Sequence, residues 1–201
     1  MIRIAIFASG NGSNAENIIR YFSKNHEIKP VIVLSNKKEA FVHQRAQQLG
    51  IPSYTFSKME FDDGTLVLKK LREYCVDFVV LAGFLLKISQ PLLDAFPNKM
   101  VNIHPALLPK FGGKGMYGNH VHRAVIEARE RESGITIHYV NEHYDEGNII
   151  FQASCEVLPN DTPDDVAQKV SELEFTWFPK VIEEVVMLHQ SLTTSHNTAS
   201  L

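Results

Sequence analysis

The sequence predicts one α/β domain: a mainly parallel, twisted sheet with helices on both faces and an antiparallel C-terminal portion. Three observations predict it. IRIAIF (2–7), VIVL (31–34) and FVVLAGF (78–84) are near-continuous apolar runs, the pattern of strands buried on both faces. Amphipathic stretches separate them, and strand–helix alternation implies a parallel sheet joined by right-handed crossovers. Beyond residue 130, two β-rich runs follow each other with only a short polar turn between them, which suits a hairpin.

In chain order, the first strand leads through FASGNGSNAEN into a helix over 14–24. VIVL and a helix over 38–49 follow, then a helix over 65–75 and the strand FVVLAGF. KMVNIHP (99–105) reads as another strand, stopped by Pro105, which cannot donate a ladder hydrogen bond. A Gly-rich loop, KFGGKGMYGN, precedes a helix over about 119–130. SGITIHYV (133–140) and NIIFQASCEVL (148–158) flank the turn NEHYDEG. LPNDTPDD then starts a helix: Thr162 can cap it, Pro163 suits its first turn, and Asp164 and Asp165 favour the positive end of its dipole. That helix is expected to end near 188, leaving a flexible tail over 189–201.

Bulk properties exclude several classes. The chain has 201 residues, enough for one substantial core, with 44% hydrophobic and 21% charged residues and a net charge of −3. There is no dense Lys/Arg stripe, so neither nucleic acid nor an anionic membrane is expected as a partner. No apolar run approaches the roughly 20 residues of a membrane helix, and no secretory leader is read at the start. Cys75 and Cys155 are too few for a disulfide framework or a structural zinc site, and suit a reducing cytoplasm. Small molecules are the expected partners.

Two loops carry candidate chemistry. In FASGNGSNAEN, Gly10 and Gly12 let backbone approach a ligand, and the following helix N-terminus offers unpaired N–H groups to a phosphate. A dinucleotide site would also need an acid at the tip of the second strand, where Ser35-Asn36-Lys37-Lys38 stands instead. A tight turn with a helix cap is the alternative reading. In VNIHP, alternation puts Asn102 and His104 on one side of a strand end and Val101 and Ile103 on the other. Ligands of such folds bind beyond the carboxyl ends of the strands, where Asp145 in the HYDEG turn could join them. An amide, an imidazole and a carboxylate suit acyl-type transfer by stabilising an oxyanion and passing a proton. No Ser or Cys stands beside them as a covalent nucleophile. His120 and His122 lie two apart on a helix and do not face each other, so no metal is expected.

SGNGSN, LAGF, NIHPALLP and HYDEGNII, in that order and spacing, resemble the phosphoribosylglycinamide formyltransferase family over residues 1–187. NIHPALLP and D-x-G also occur in the wider superfamily of methionyl-tRNA formyltransferases and formyltetrahydrofolate hydrolases, whose additional domains are not expected here. The resemblance implies a Rossmann-like formyltransferase fold over 1–188, with a ribotide-phosphate half (1–100) and a catalytic and folate half (101–188). It implies formyl transfer from 10-formyltetrahydrofolate, as co-substrate, to the amino group of 5-phosphoribosylglycinamide in purine biosynthesis. The implied catalytic residues are Asn102, His104 and Asp145. Gly12, Ser13, Asn14 and Glu174 would bind the ribotide. Leu85, Leu86, Lys87, Ile88, Asn102, Asn141 and Asp145 would bind the folate. The implied assembly is a monomer or homodimer in the cytoplasm. Two departures stand out: many members carry Met-Arg-Ile-Leu where this chain has Leu85-Leu86-Lys87-Ile88, and GGKGMYGNHVH is longer than the corresponding loop of many members.

Overall fold

A computed structural model describes residues 1–198, and everything structural below concerns those residues. Seven strands form one sheet: β1 (Ile2–Phe7), β2 (Ile28–Ser35), β3 (Ser53–Thr55), β4 (Phe78–Leu81), β5 (Met100–His104), β6 (Glu132–Tyr139) and β7 (Ile149–Glu156). Their spatial order is β3-β2-β1-β4-β5-β6-β7. The first five pair in parallel, whereas β5–β6 and β6–β7 are antiparallel; the short helix-free turn between β6 and β7 predicts the second of these pairings, while the first forms although a helix lies between its strands. Strand order reverses between β1 and β4, so a ligand crevice belongs beyond their carboxyl ends.

Alternation along the strands divides the core in two. Ile4 and Ile6 of β1 and Val101 and Ile103 of β5 pack against α1 (Ser13–Tyr21), α2 (Val42–Gln48), α6 (Asn119–Glu127) and α7 (Pro163–Thr198). Ala5, Phe7, Val79 and Leu81 pack the other way, against α3 (Lys58–Asp63), α4 (Thr65–Glu73) and α5 (Gln90–Ala95). With both faces covered, these strands need apolar residues throughout, which is why they read as continuous runs.

The structure departs from the sequence reading at short or uninterrupted elements. β3, α3 and α5 have only three, six and six residues and were not anticipated, being too short to display a period. The strand expected over 78–84 stops at Leu81, and Gly83 takes a φ of 73°. The last helix does not end near 188 but continues to Thr198; the rest of the expected tail, 199–201, lies outside the described residues. Its start follows the capping reading. Asp165 N–H donates to Thr162 Oγ1 at 3.2 Å, and Thr162 N–H donates to Asp165 Oδ2 at 2.8 Å.

Candidate active site

The end of β5 supplies the first two candidate side chains. His104 is 3% exposed and Asn102 half-buried, on the face opposite Val101 and Ile103. Antiparallel pairing sets Asn102 directly across from His138 of β6. Asn102 Nδ2 lies 3.1 Å from His138 Nε2, and His138 Nδ1 lies 2.8 Å from the Tyr139 carbonyl. A carbonyl only accepts, so His138 Nδ1 carries a proton, while its Nε2 faces both the Asn102 amide and Asp145. The same logic fixes His104, whose Nε2–H donates to Phe111 O at 2.8 Å. A second proton, on Nδ1, would face Asp145.

Asp145 arrives from the turn between β6 and β7. Gly147 makes that approach possible, since a Cβ there would run into the Tyr139 carbonyl. Asp145 itself takes a φ of 57°, a left-handed conformation that Asp and Asn tolerate better than most residues. Its Oδ2 lies 3.5 Å from His104 Nδ1 and accepts Gly113 N–H at 2.9 Å; its Oδ1 lies 3.6 Å from His138 Nε2. The root of the Gly-rich loop is thereby tied to both predicted catalytic groups, through Phe111 O and Gly113 N–H.

Burial sets the electrostatics of the pair. It pushes the His104 pKa below its usual value; Asp145 and the Phe111 carbonyl pull upward without overcoming it, and His138 adds to the fall. A neighbouring carboxylate alone would favour the charged imidazole, but in the free protein desolvation wins. Burial also works against a charged Asp145. His138, His104 and Gly113 N–H outweigh it and hold that carboxyl below the ordinary range. The resting site therefore contains a neutral imidazole beside an ionised carboxylate.

A cavity of about 480 Å³ opens beyond the strand ends, lined among others by Asn14, Leu85, Asn102, His104, Asp145 and Glu174. Asn14, at the start of α1, donates from Nδ2 to Glu174 Oε2 of α7 at 2.8 Å, while its Oδ1 is buried without a partner. Burial raises the Glu174 pKa, and the Asn14 hydrogen bond lowers it only in part. Gly12 and Ser13 precede Asn14 but do not line the cavity. Gly12 has a φ of 76°, and a Cβ there would collide with Val42.

On the other side of Asn102 and Asp145 lies a smaller cavity of about 60 Å³, walled partly by Leu86, Lys87, Ile88, Asn141 and His138. It leads through Leu86, Lys87 and Tyr144 to an open groove of about 490 Å³ that also meets Lys58 and Glu142. All the residues expected to bind folate thus border one or other cavity. Sequence reasoning missed His138 and the role of His122 as a cavity wall, where His122 is 5% exposed. A polar alternation, Gly134, Thr136 and His138, marks the β6 face opposite Asn102 and could have shown the first. For His122, whose spacing from His120 excludes a metal pair, the helical phase shared with buried Val121 and Val125 is the signal of an inward position.

The arrangement offers an amide N–H and a protonatable imidazole to an oxygen that gains charge, with a carboxylate able to receive and return a proton. The chain as a whole is similar to known proteins. Residues 2–182 match the formyl transferase family model. A chloroplastic phosphoribosylglycinamide formyltransferase of Arabidopsis thaliana is 44% identical over 186 residues, covering 90% of this chain; the chain spans only 64% of that relative's length. The phosphoribosylglycinamide formyltransferase of Bacillus subtilis (strain 168) is 35% identical, covering 94% of this chain and 97% of its own length. The crystal structure of the enzyme of that name from Bacillus halodurans superposes with a TM-score of 0.83 at 33% identity, covering 92% of this chain and 95% of the other. By the match to the family model and by these relatives, the chain belongs to the formyl transferase family.

Proposed function

We propose that this protein transfers the formyl group of 10-formyltetrahydrofolate to the amino group of 5-phosphoribosylglycinamide, in purine biosynthesis. One observation carries the reading: Asn102, His104 and Asp145, from a strand end and a distant turn, meet where the 480 Å³ cavity adjoins the smaller one. A nucleotide-binding module without catalysis has no use for that convergence. The ribotide takes the larger cavity, with its phosphate at the Asn14 edge, reaching out toward Gly12 and Ser13, and its glycinamide end toward Glu174. The folate takes the smaller cavity, between Leu85–Ile88 and the turn 141–145, with its tail along the groove past Lys87.

The steps balance within that arrangement. The neutral amine attacks the formyl carbon, and negative charge develops on oxygen beside Asn102 and His104. That charge restores the His104 pKa, which burial had lowered, so His104 takes up a proton from water as the intermediate forms, rather than before it, and returns it to water when the carbonyl re-forms. Asp145 supports the imidazolium and accepts the proton that the attacking nitrogen must shed. The same proton passes to the folate nitrogen, the carbon–nitrogen bond breaks, and N-formyl product and tetrahydrofolate leave. No step needs a metal. A monomer or homodimer in the cytoplasm completes the reading.

Purified protein supplied with both substrates, with folate product followed by absorbance, tests it. Product formation that depends on the ribotide is expected. Equal folate turnover without ribotide would favour the formyltetrahydrofolate-hydrolysing alternative, and no turnover would contradict formyl transfer.

A further inference from the structure

We propose that Ser9 and Asn36 are positioning residues that hold the wall shared by the two cavities, and through it the folate. Ser9 follows β1 and is 1% exposed. Its hydroxyl accepts the Leu85 backbone N–H at 2.9 Å and donates to Asn36 Oδ1 at 2.7 Å. Its own backbone N–H donates to Gly83 O at 3.0 Å. One buried residue therefore grips the segment after β4 twice, two residues apart.

That segment has little else of its kind to fix it. β4 has ended at Leu81, and Gly83 turns the chain with a φ of 73°. Phe84 packs into the aromatic group of Phe7, Phe56 and Phe61, at 5.4 Å from Phe7 and 5.3 Å from Phe61. Aromatic packing sets the depth of the segment without setting its rotation or register. The Ser9–Leu85 hydrogen bond supplies the direction. From there the chain lines both sides of the site, Leu85 in the larger cavity and Leu86, Lys87 and Ile88 in the smaller.

Asn36 gives the latch its polarity. An Asn Oδ1 can only accept, so it commits the Ser9 proton and leaves the hydroxyl lone pairs for Leu85 N–H. In a dinucleotide-binding protein the tip of the second strand carries an acid for a ribose. In this chain the half-buried Asn36 stands at that tip and is turned inward to a hydroxyl instead. The absence of the acid is thus matched by a structural use of the position.

The inference rests on the formyl-transfer reading, and its test compares Ser9→Ala with Ser9→Thr, which keeps the hydroxyl. Loss of the acceptor that Leu85 N–H has in Ser9 Oγ should raise the KM for 10-formyltetrahydrofolate about tenfold, the size of one hydrogen bond left unmade at a buried donor. The ribotide KM should stay within about twofold, and Ser9→Thr should recover the folate KM to a similar margin. An unchanged folate KM in the folded Ser9→Ala protein, a ribotide KM that rises equally, or a Ser9→Thr protein as impaired as Ser9→Ala would overturn the proposal. If Ser9→Ala fails to fold, Asn36→Leu decides: it leaves the hydroxyl without its acceptor, and a folate KM unchanged from wild type refutes the latch. Failure of the formyl-transfer reading shows separately, as a wild-type protein without ribotide-dependent turnover.

Discussion

Asp145 Oδ2 lies 3.5 Å from His104 Nδ1 while accepting Gly113 N–H at 2.9 Å, so one carboxylate oxygen joins the imidazole to the Gly-rich loop. Loop position and the charge next to His104 are consequently linked. Phe111 O, which accepts from His104 Nε2, closes the link from the other side of the ring.

That link sets an expectation for the loop over 110–119. With positive φ at Phe111, Gly113, Gly115 and Gly118, the loop has few regular hydrogen bonds, which places it at the low-stability end of the fold. Hydrogen exchange across it should be fast in the free protein and slower with both ligands bound. Gly113, tied to Asp145, should exchange more slowly than Gly115 in the free state. Uniform strong protection in both states would rule out closure over the ligands.

Asn14→Ala should mainly raise the ribotide KM, by about tenfold, and change kcat less. Phosphate is gripped similarly in ground and transition states, so its loss is a loss of uniform binding. The substitution also removes the donor to Glu174, whose carboxyl burial already pushes up. Steady-state kinetics with each substrate varied in turn make the check. A fall in kcat with an unchanged ribotide KM would place Asn14 outside the phosphate site.

Stability should fall as pH drops below about 6.5. His104, His122 and His189 all have folded pKa values below the ordinary histidine value, chiefly through burial. The unfolded chain then takes up protons near pH 6.5 that the folded chain refuses, so stability is full above that pH and lost below it. Glu174, with a raised pKa, acts in the opposite sense as pH rises above 4.5. Comparing wild type with His122→Gln isolates the histidine part. The fall in Tm between pH 7.5 and 5.5 should be smaller in the variant, at roughly 2–4 °C per kcal/mol for a chain of this size. Equal falls would mean that His122 titrates normally.

The parts that were legible in the sequence are those fixed by local periodicity. Continuous apolar runs revealed β1, β4 and the parallel half of the sheet, because strands covered on both faces need apolar side chains at every position. Alternation in VNIHP placed Asn102 and His104 on one face, and it held because β5 is paired on both sides. What periodicity could not reveal depends on partners distant in sequence. His138 reaches the candidate site only through its register opposite Asn102, and the hydrogen bonds between Ser9, Asn36 and Leu85 join three separate strand ends. The His104 charge state is not legible in the sequence for a related reason: the neighbouring acid is visible there, whereas the depth of burial that outweighs it is not.

Asp145→Asn tests the charge of Asp145 in formyl transfer most directly. Asn tolerates the same left-handed φ of 57°, so the turn should keep its shape while the carboxylate is lost. A kcat lower by on the order of 10² or more is predicted, as for removal of a general acid–base group, with ribotide affinity little changed. The variant should first show a native circular dichroism spectrum and then be assayed from about pH 6 to 9, a range starting near the reference histidine pKa. A folded Asp145→Asn protein that keeps most of the wild-type kcat across that range would mean that Asp145 only shapes its turn, and would contradict the mechanism.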